Sequence, residues 1–226
     1  MNIHSINEPV CLAQDFLNDT ELHDIKTKVI ELKPFWEYLK NRDADNSAHK
    51  MLPGLSHYKL PYYNYESVKK IKSIMWTNFE PLYNKIQCTL ENLFEIETYY
   101  SKSCHYPGFH IFTNENNNHS VYDIENWHKD IFDITLLGKV GTIFSLNIPI
   151  TLPKHNACLF YNNRLMLTER QADNYKQFNY KIGSLNAWSG NIMHTMGVPF
   201  NLNDTESRIT LQFHLNVHDK RACIFW

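Results

Sequence analysis

Along the chain the spacing of apolar positions changes character once. From residue 18 to about residue 95 they recur at three- and four-residue steps. Leu22, Ile25, Val29, Ile30 and Leu32 form one helical stripe, with Asn18-Asp19-Thr20 to cap its start and Pro34 to stop it. Val68, Ile71, Ile74, Met75, Phe79, Leu82, Ile86, Leu90 and Leu93 form a longer stripe, with Ser67 as its N-cap and Pro81 as a kink or a break. Between the two, residues 41–66 follow no period and hold Pro53, Gly54, Pro61 and the tyrosines Tyr58, Tyr62, Tyr63 and Tyr65. A loop of that length in a compact domain is often functional; folding over a cavity mouth and packing on the surface both fit it.

Beyond residue 96 the period shortens. Six of the seven glycines lie here, at Gly108, Gly138, Gly141, Gly183, Gly190 and Gly197. They separate short β-rich runs at Thr98–Tyr106, Phe109–Thr113, around Trp127, Thr142–Thr151, Ala157–Tyr161, Ser184–Trp188 and Arg208–Val217. Asn114–Ser120 is a polar loop. Many short strands without helices between them predict a sandwich or barrel. The expectation is a single domain over 1–226, mainly β with N-terminal helices. Residues 1–95 would give helical support and a lid, and residues 96–226 a jelly-roll, cupin-like catalytic core.

Composition narrows the class. The 226 residues suffice to bury a core without staples. Hydrophobic residues make up 43% and charged residues 20%, with 14% aromatics to fill the core or line a pocket. A net charge of −2 argues against nucleic acid as a partner; Lys69, Lys70 and Lys72 read as a solvated helix face. The five cysteines (Cys11, Cys88, Cys104, Cys158, Cys223) are odd in number, widely spaced and without a C-x-x-C, which suits packed thiols in a reducing compartment. The first 20 residues do not read as a signal peptide, and no apolar run approaches the ~18 residues of a membrane span. The expectation is a cytoplasmic protein with no membrane partner.

The informative chemistry begins at Trp127-His128-Lys129-Asp130. On an extended chain residues two apart point the same way, so His128 and Asp130 can reach one metal ion together. Gly190-Asn191-Ile192-Met193-His194 offers a second imidazole in a turn-rich setting. Two histidines and one carboxylate on one face are the ligand set of non-haem Fe(II) oxygenases, and they leave positions open for a 2-oxo acid and O2. Fourteen residues after His194, Arg208 opens a strong strand and shares a face with Thr210 and Gln212, while Ile209, Leu211 and Phe213 share the other. An arginine facing into a barrel needs a partner; the far carboxylate of 2-oxoglutarate suits its planar fork, with the Thr210 hydroxyl beside it. An H-x-D pair alone carries little weight in a chain with 12 histidines; the order H-x-D, glycine turn with histidine, then arginine on a strand carries more.

With those residues in view, residues ~100–217 resemble the Fe(II)/2-oxoglutarate-dependent dioxygenase superfamily, nearest its prolyl-hydroxylase-like and phytanoyl-hydroxylase-like members. The matching text is His105-Tyr106-Pro107-Gly108-Phe109-His110, Trp127-His128-Lys129-Asp130, Ser145-Leu146-Asn147-Ile148-Pro149-Ile150, Gly183-Ser184-Leu185-Asn186-Ala187-Trp188, His194 and Arg208-Ile209-Thr210. The resemblance implies a double-stranded β-helix. It implies Fe(II) at His128, Asp130 and His194, with 2-oxoglutarate anchored at Arg208 and O2 as co-substrate. It also points to Tyr106 or Asn147 as further holders of 2-oxoglutarate. Related halogenases replace the carboxylate with a small residue; Asp130 is present here, which favours hydroxylation over halogenation and leaves desaturation or ring formation open.

Simpler readings accompany these. Arg208 has Asp204 and Glu206 nearby in sequence for a structural ion pair, His214 and His218 are rival ligands, and His105 and His110 read as hydrogen-bonded side chains near the pocket. Trp127 and Trp188 read as core. Among substrates a small molecule such as an amino acid comes first, a peptidyl side chain second and nucleic acid third. A metal-dependent cupin that ignores 2-oxoglutarate, or a non-catalytic jelly-roll binding protein, would need no Arg208 anchor or no metal, respectively.

Overall fold

The structure, a computed structural model, describes residues 1–38, 49–52, 65–113, 127–130, 141–154, 158–162, 175–196, 202 and 206–226. Two helices and twelve strands are found among them: β1 (Val10–Ala13), α1 (Asp19–Glu31), β2 (Glu37–Tyr38), β3 (His49–Leu52), α2 (Tyr65–Phe94), β4 (Glu97–Tyr100), β5 (Gly108–Phe112), β6 (Thr142–Thr151), β7 (Cys158–Asn162), β8 (Lys176–Asn179), β9 (Leu185–Ser189), β10 (Met193–Met196), β11 (Arg208–His218) and β12 (Arg221–Phe225).

Local chemistry sets the helices. Asn18 and Glu21 close a capping box at the start of α1: the Asn18 side chain accepts from the Glu21 N–H at 3.0 Å, and Glu21 accepts from the Asn18 N–H at 2.9 Å. Helix α1 buries Ile25 and Val29, and the chain leaves it through a short Lys33-Pro34-Phe35 turn. Helix α2 begins at Tyr65, two residues before the expected cap, and kinks at Phe79 (φ −125°, ψ 15°), two residues ahead of Pro81. The proline ring clashes with the carbonyl four residues back and removes one N–H, so the bend falls just upstream.

A large sheet follows the order β1-β9-β6-β11-β5-β3-β2; β12 pairs with β11 and runs parallel to β4. A small antiparallel sheet has the order β10-β7-β8. Strand β11 is central: residues 208–212 pair with β5, residues 214–218 with β12, and its other edge with β6 along nearly its whole length. One face of the large sheet carries Phe144, Leu146, Ile148 and Ile150 of β6 and Ile209, Leu211, Phe213, Leu215 and Val217 of β11, all buried in one cluster with Val29, Met75, Phe79 and Tyr83 of the helices. Each such side chain contributes about 1.5–3 kcal/mol on burial. A second cluster joins Trp188 of β9 to Leu159 and Tyr161 of β7, tying the large sheet to the small one.

Several expectations are corrected. Residues 1–95 are not purely helical support: β1 pairs with β9 and β3 with β5, so this region also extends the large sheet on both sides. The run at 98–106 is not one strand. The regular strand covers Glu97–Tyr100; the chain then turns, with the Lys72 ammonium of α2 donating to the carbonyls of Ser101 (2.7 Å) and Cys104 (2.9 Å), and meets the C-terminus again where His105 and Trp226 exchange backbone hydrogen bonds. Strands β8, β10 and β12 were not anticipated. They are four or five residues long, and none alternates apolar and polar positions strictly. Tyr58, Tyr62, Tyr63 and the Asn114–Ser120 loop lie outside the described residues. Among the described residues no helix is long and apolar enough to cross a membrane.

Candidate metal centre

Two backbone ties fix the 127–130 segment. His128 and His194 form an antiparallel bridge, each N–H donating to the other's carbonyl at 3.0 and 2.9 Å. The Asp130 N–H donates to the Gly190 carbonyl at 3.0 Å, and the Gly190 N–H donates to Ile143 of β6 at 2.9 Å. Gly190 is the junction, and only glycine fits: a Cβ there would lie 2.9 Å from Ile143 Cγ2 and 3.0 Å from the Asp130 carbonyl oxygen.

The ties bring the three expected ligands together. Ligating atoms of His128, Asp130 and His194 lie within 4.8 Å of one another, an arrangement able to hold a metal ion. His128 Nε2 is 3.6 Å from Asp130 Oδ1, and His194 Nε2 is 3.4 Å from Asp130 Oδ2. Asp130 and His194 are buried at 3% and 1% side-chain exposure, while His128 is 45% exposed, so the group opens to solvent on the His128 side. The His194 Nδ1 lies 3.0 Å from the Ile192 carbonyl, which fixes the ring with Nε2 turned to the site. Trp188 packs edge-on against the same ring at 5.4 Å.

The electrostatics favour the metal-binding protonation state. Burial pushes the Asp130 carboxyl up, but His194, His214 and His128 together with a hydrogen bond from Ser145 outweigh it and bring it down to about 2. Burial pushes His194 down, partly offset by Asp130, and takes His214 to about 4 against the same pull. At neutral pH the site therefore offers the Asp130 carboxylate and a neutral His194 imidazole, the forms that ligate metals.

From this group the second face of the large sheet runs toward Arg208, and it is polar yet buried. Arg208, Thr210, His214 and Asn216 of β11 are at most 2% exposed and Gln212 is 8% exposed, with Ser145 and Asn147 of β6 and Asn186 of β9 equally hidden. Register places Asn186, Asn147 and Gln212 in one row and Ser145 beside His214 in the next. The Asn186 amide donates to Asn147 Oδ1 at 3.0 Å, Asn147 faces the Tyr180 hydroxyl, and Thr210 Oγ1 is buried without a hydrogen-bond partner among the described residues. Arg208 lies against two rings, 5.8 Å from Phe112 and 5.6 Å from Tyr180, and burial lowers its pKa with Tyr180 and Cys158 opposing. The Tyr180 hydroxyl is buried beside the Asn147 side chain, and it senses the charges of both Arg208 and Asp130. Sparsely hydrogen-bonded polar groups beside a buried guanidinium are costly in the free protein and suit an anionic, oxygen-rich ligand.

Tyr106 is not brought to this face. Its ring packs with Trp76 at 5.1 Å, Tyr83 at 5.4 Å and Tyr100 at 5.3 Å, under the Lys72 ammonium at 4.7 Å, on the helical side of the sheet. His218 is also remote from the three, bonding the Tyr99 hydroxyl at 3.3 Å. His214 stands one side chain away, linked through Ser145. Sequence reasoning missed Ser145 and Tyr180. The signal for Ser145 was present: it alternates with Asn147 on a strand whose other positions are Phe144, Leu146 and Ile148. Tyr180 follows a four-residue strand and carried no comparable signal.

No family model matches the sequence, and no curated protein matches it. Solved structures do. SnoN, a non-heme alpha-ketoglutarate-dependent epimerase from nogalamycin biosynthesis, is similar over 92% of this chain and 79% of its own, at 13% identity and a TM-score of 0.54. SnoN in complex with Fe3+, alpha-ketoglutarate and nogalamycin RO is similar over 96% of this chain and 93% of its own, at 11% identity and a TM-score of 0.54. An oxidoreductase of the 2OG-Fe(II) oxygenase family from Burkholderia pseudomallei is similar over 91% and 83%, at 13% identity and a TM-score of 0.50. Likeness at such low identity is a likeness of fold, and the fold this chain shares is that of 2-oxoglutarate-dependent iron oxygenases.

Proposed function

We propose that this protein is an Fe(II)- and 2-oxoglutarate-dependent oxygenase on a double-stranded β-helix, hydroxylating an unactivated C–H bond of a small molecule such as an amino acid or natural-product intermediate. The observation that carries the reading is the convergence of His128, Asp130 and His194 at one end of a buried polar face that ends in Arg208. His128, Asp130 and His194 hold the metal. Arg208 binds the far carboxylate of 2-oxoglutarate, with Thr210, whose hydroxyl has no hydrogen-bond partner among the described residues, and the Asn147 and Tyr180 side chains as further polar contacts. The bound iron, with 2-oxoglutarate and O2, supplies the oxidising chemistry. The protein's part is to fix the co-substrate's orientation along the buried polar face and to leave the His128 side open to the substrate. The fold shared with SnoN, whose complex holds Fe3+, alpha-ketoglutarate and a small molecule, supports the same reading.

Two measurements test it. Mn(II) and 2-oxoglutarate together should raise the Tm by more than the sum of their separate effects, since each completes the other's site. Asp130→Ala and His128→Ala should lose succinate release; either purified variant turning over 2-oxoglutarate like wild type would refute the assignment. Metal stabilisation indifferent to 2-oxoglutarate would favour a cupin instead.

A further inference from the structure

The polar groups nearest the metal ligands do not merely fill space. Ser145 of β6 and His214 of β11 are directly opposed in register. The Ser145 hydroxyl donates to Asp130 Oδ2, and its oxygen lies 3.1 Å from His214 Nδ1. Next to them in the same cross-strand row, Trp188 is opposite Ser145 and Phe225 opposite His214. Phe225 packs on the His214 ring at 5.5 Å and Trp188 on the His194 ring at 5.4 Å, so aromatic rings close both ends.

The proton inventory gives the row a direction. A carboxylate can only accept, and serine has one proton. That proton goes to Asp130, so the contact with His214 requires a proton on Nδ1, donated to the serine oxygen. We infer that His214 Nδ1–H, Ser145 Oγ–H and Asp130 Oδ2 form a directional relay that keeps Asp130 a one-oxygen metal ligand. His214 and Ser145 are thus positioning residues for the centre.

Its consequence lies in coordination number. Oδ2 takes the Ser145 hydrogen bond and lies 3.4 Å from His194 Nε2, so Oδ1, which lies 3.6 Å from His128 Nε2, is the oxygen we assign to the metal. Two imidazoles and one oxygen leave three of six positions, the number that a two-point co-substrate and O2 require. A carboxylate swinging to grip with both oxygens would take one of them. The relay resists that swing, and it satisfies three buried polar groups that would otherwise be costly to hide.

This inference rests on the proposed metal-binding role, and the experiment separates the two. Mn(II) affinity of the full chain is measured by calorimetry, and coordination by the visible absorption of the Co(II) form. Ser145→Ala and His214→Leu should each weaken Mn(II) binding 10- to 100-fold, the usual effect of removing a partner behind a ligand. Both should change the Co(II) spectrum. Ser145→Thr, which keeps the hydroxyl, and His214→Asn, which keeps an N–H near the Nδ1 position, should stay within about threefold of wild type. The double variant Ser145→Ala/His214→Leu should bind no more weakly than the weaker single variant, because both break one chain. Wild-type affinity in folded Ser145→Ala or in His214→Leu overturns the relay alone, as do additive losses in the double variant. If wild type takes up no Mn(II), the metal-binding reading falls and the relay with it. Should Ser145→Ala not fold, the contrast of His214→Leu with His214→Asn decides.

Discussion

The two faces of β11 are buried alike and built of opposite chemistry. Ile209, Leu211, Phe213, Leu215 and Val217 are each at most 2% exposed, packed toward the helices. Arg208, Thr210, Gln212, His214 and Asn216 alternate with them and are no more than 8% exposed. A strand with one apolar and one polar face ordinarily shows the polar face to water. Here both are covered, so the polar face forgoes hydration that only internal partners or a ligand can replace. The first face is what the fold requires. The second is costly to the fold, and that cost marks it as the working surface. Substitutions on the two faces should therefore be read out by different measurements.

The largest effect belongs to the apolar face. Leu211 is fully buried among the helices, so Leu211→Ala removes contacts and leaves a cavity, costing about 2–5 kcal/mol. Denaturant unfolding should show that loss, while the 2-oxoglutarate KM of the remaining folded protein stays within about twofold of wild type. A shift in KM as large as the loss of stability would mean that the faces are not separable.

Arg208→Met comes next. It keeps an unbranched apolar stem and removes the charged fork. A hydrogen-bonded charge is worth about 1.5–3 kcal/mol, so the 2-oxoglutarate KM should rise roughly 10- to 100-fold while unfolding free energy falls by less than in Leu211→Ala. An unchanged KM would remove Arg208 from the proposed co-substrate site.

How much of this the sequence reveals also divides by face. On β11 and β6 the alternation of polar and apolar residues is plain, and with it the shared face of Arg208 and Thr210. His128, Asp130 and His194 were legible because an extended H-x-D must present both side chains together. What could not be read is which side of the sheet is covered by what. Tyr106 sits next to a glycine turn in a motif-like run, yet its ring belongs to the Trp76–Tyr83–Tyr100 cluster, because α2 crosses that end of the sheet. Ser145 becomes informative only once register sets it between Asp130 and His214. Tyr180 reaches Arg208 from the other sheet, a pairing that no local pattern encodes.

The smallest effect gives the sharpest contrast. Thr210 is next to Leu211 in sequence, is as deeply buried, and points the other way. Thr210→Val exchanges a hydroxyl for a methyl of nearly the same shape. Because Oγ1 has no partner among the described residues, the exchange breaks no internal hydrogen bond there and removes a buried polar group. Unfolding free energy should then hold or rise by up to about 1 kcal/mol. If that hydroxyl meets 2-oxoglutarate, the KM should rise roughly three- to tenfold, the worth of one neutral hydrogen bond. Stability and affinity would then move in opposite directions at one residue, which a purely structural threonine would not do. A fall of more than about 1 kcal/mol in stability with no change in KM would assign Thr210 to the fold and shrink the working face to Arg208 and its nearer neighbours.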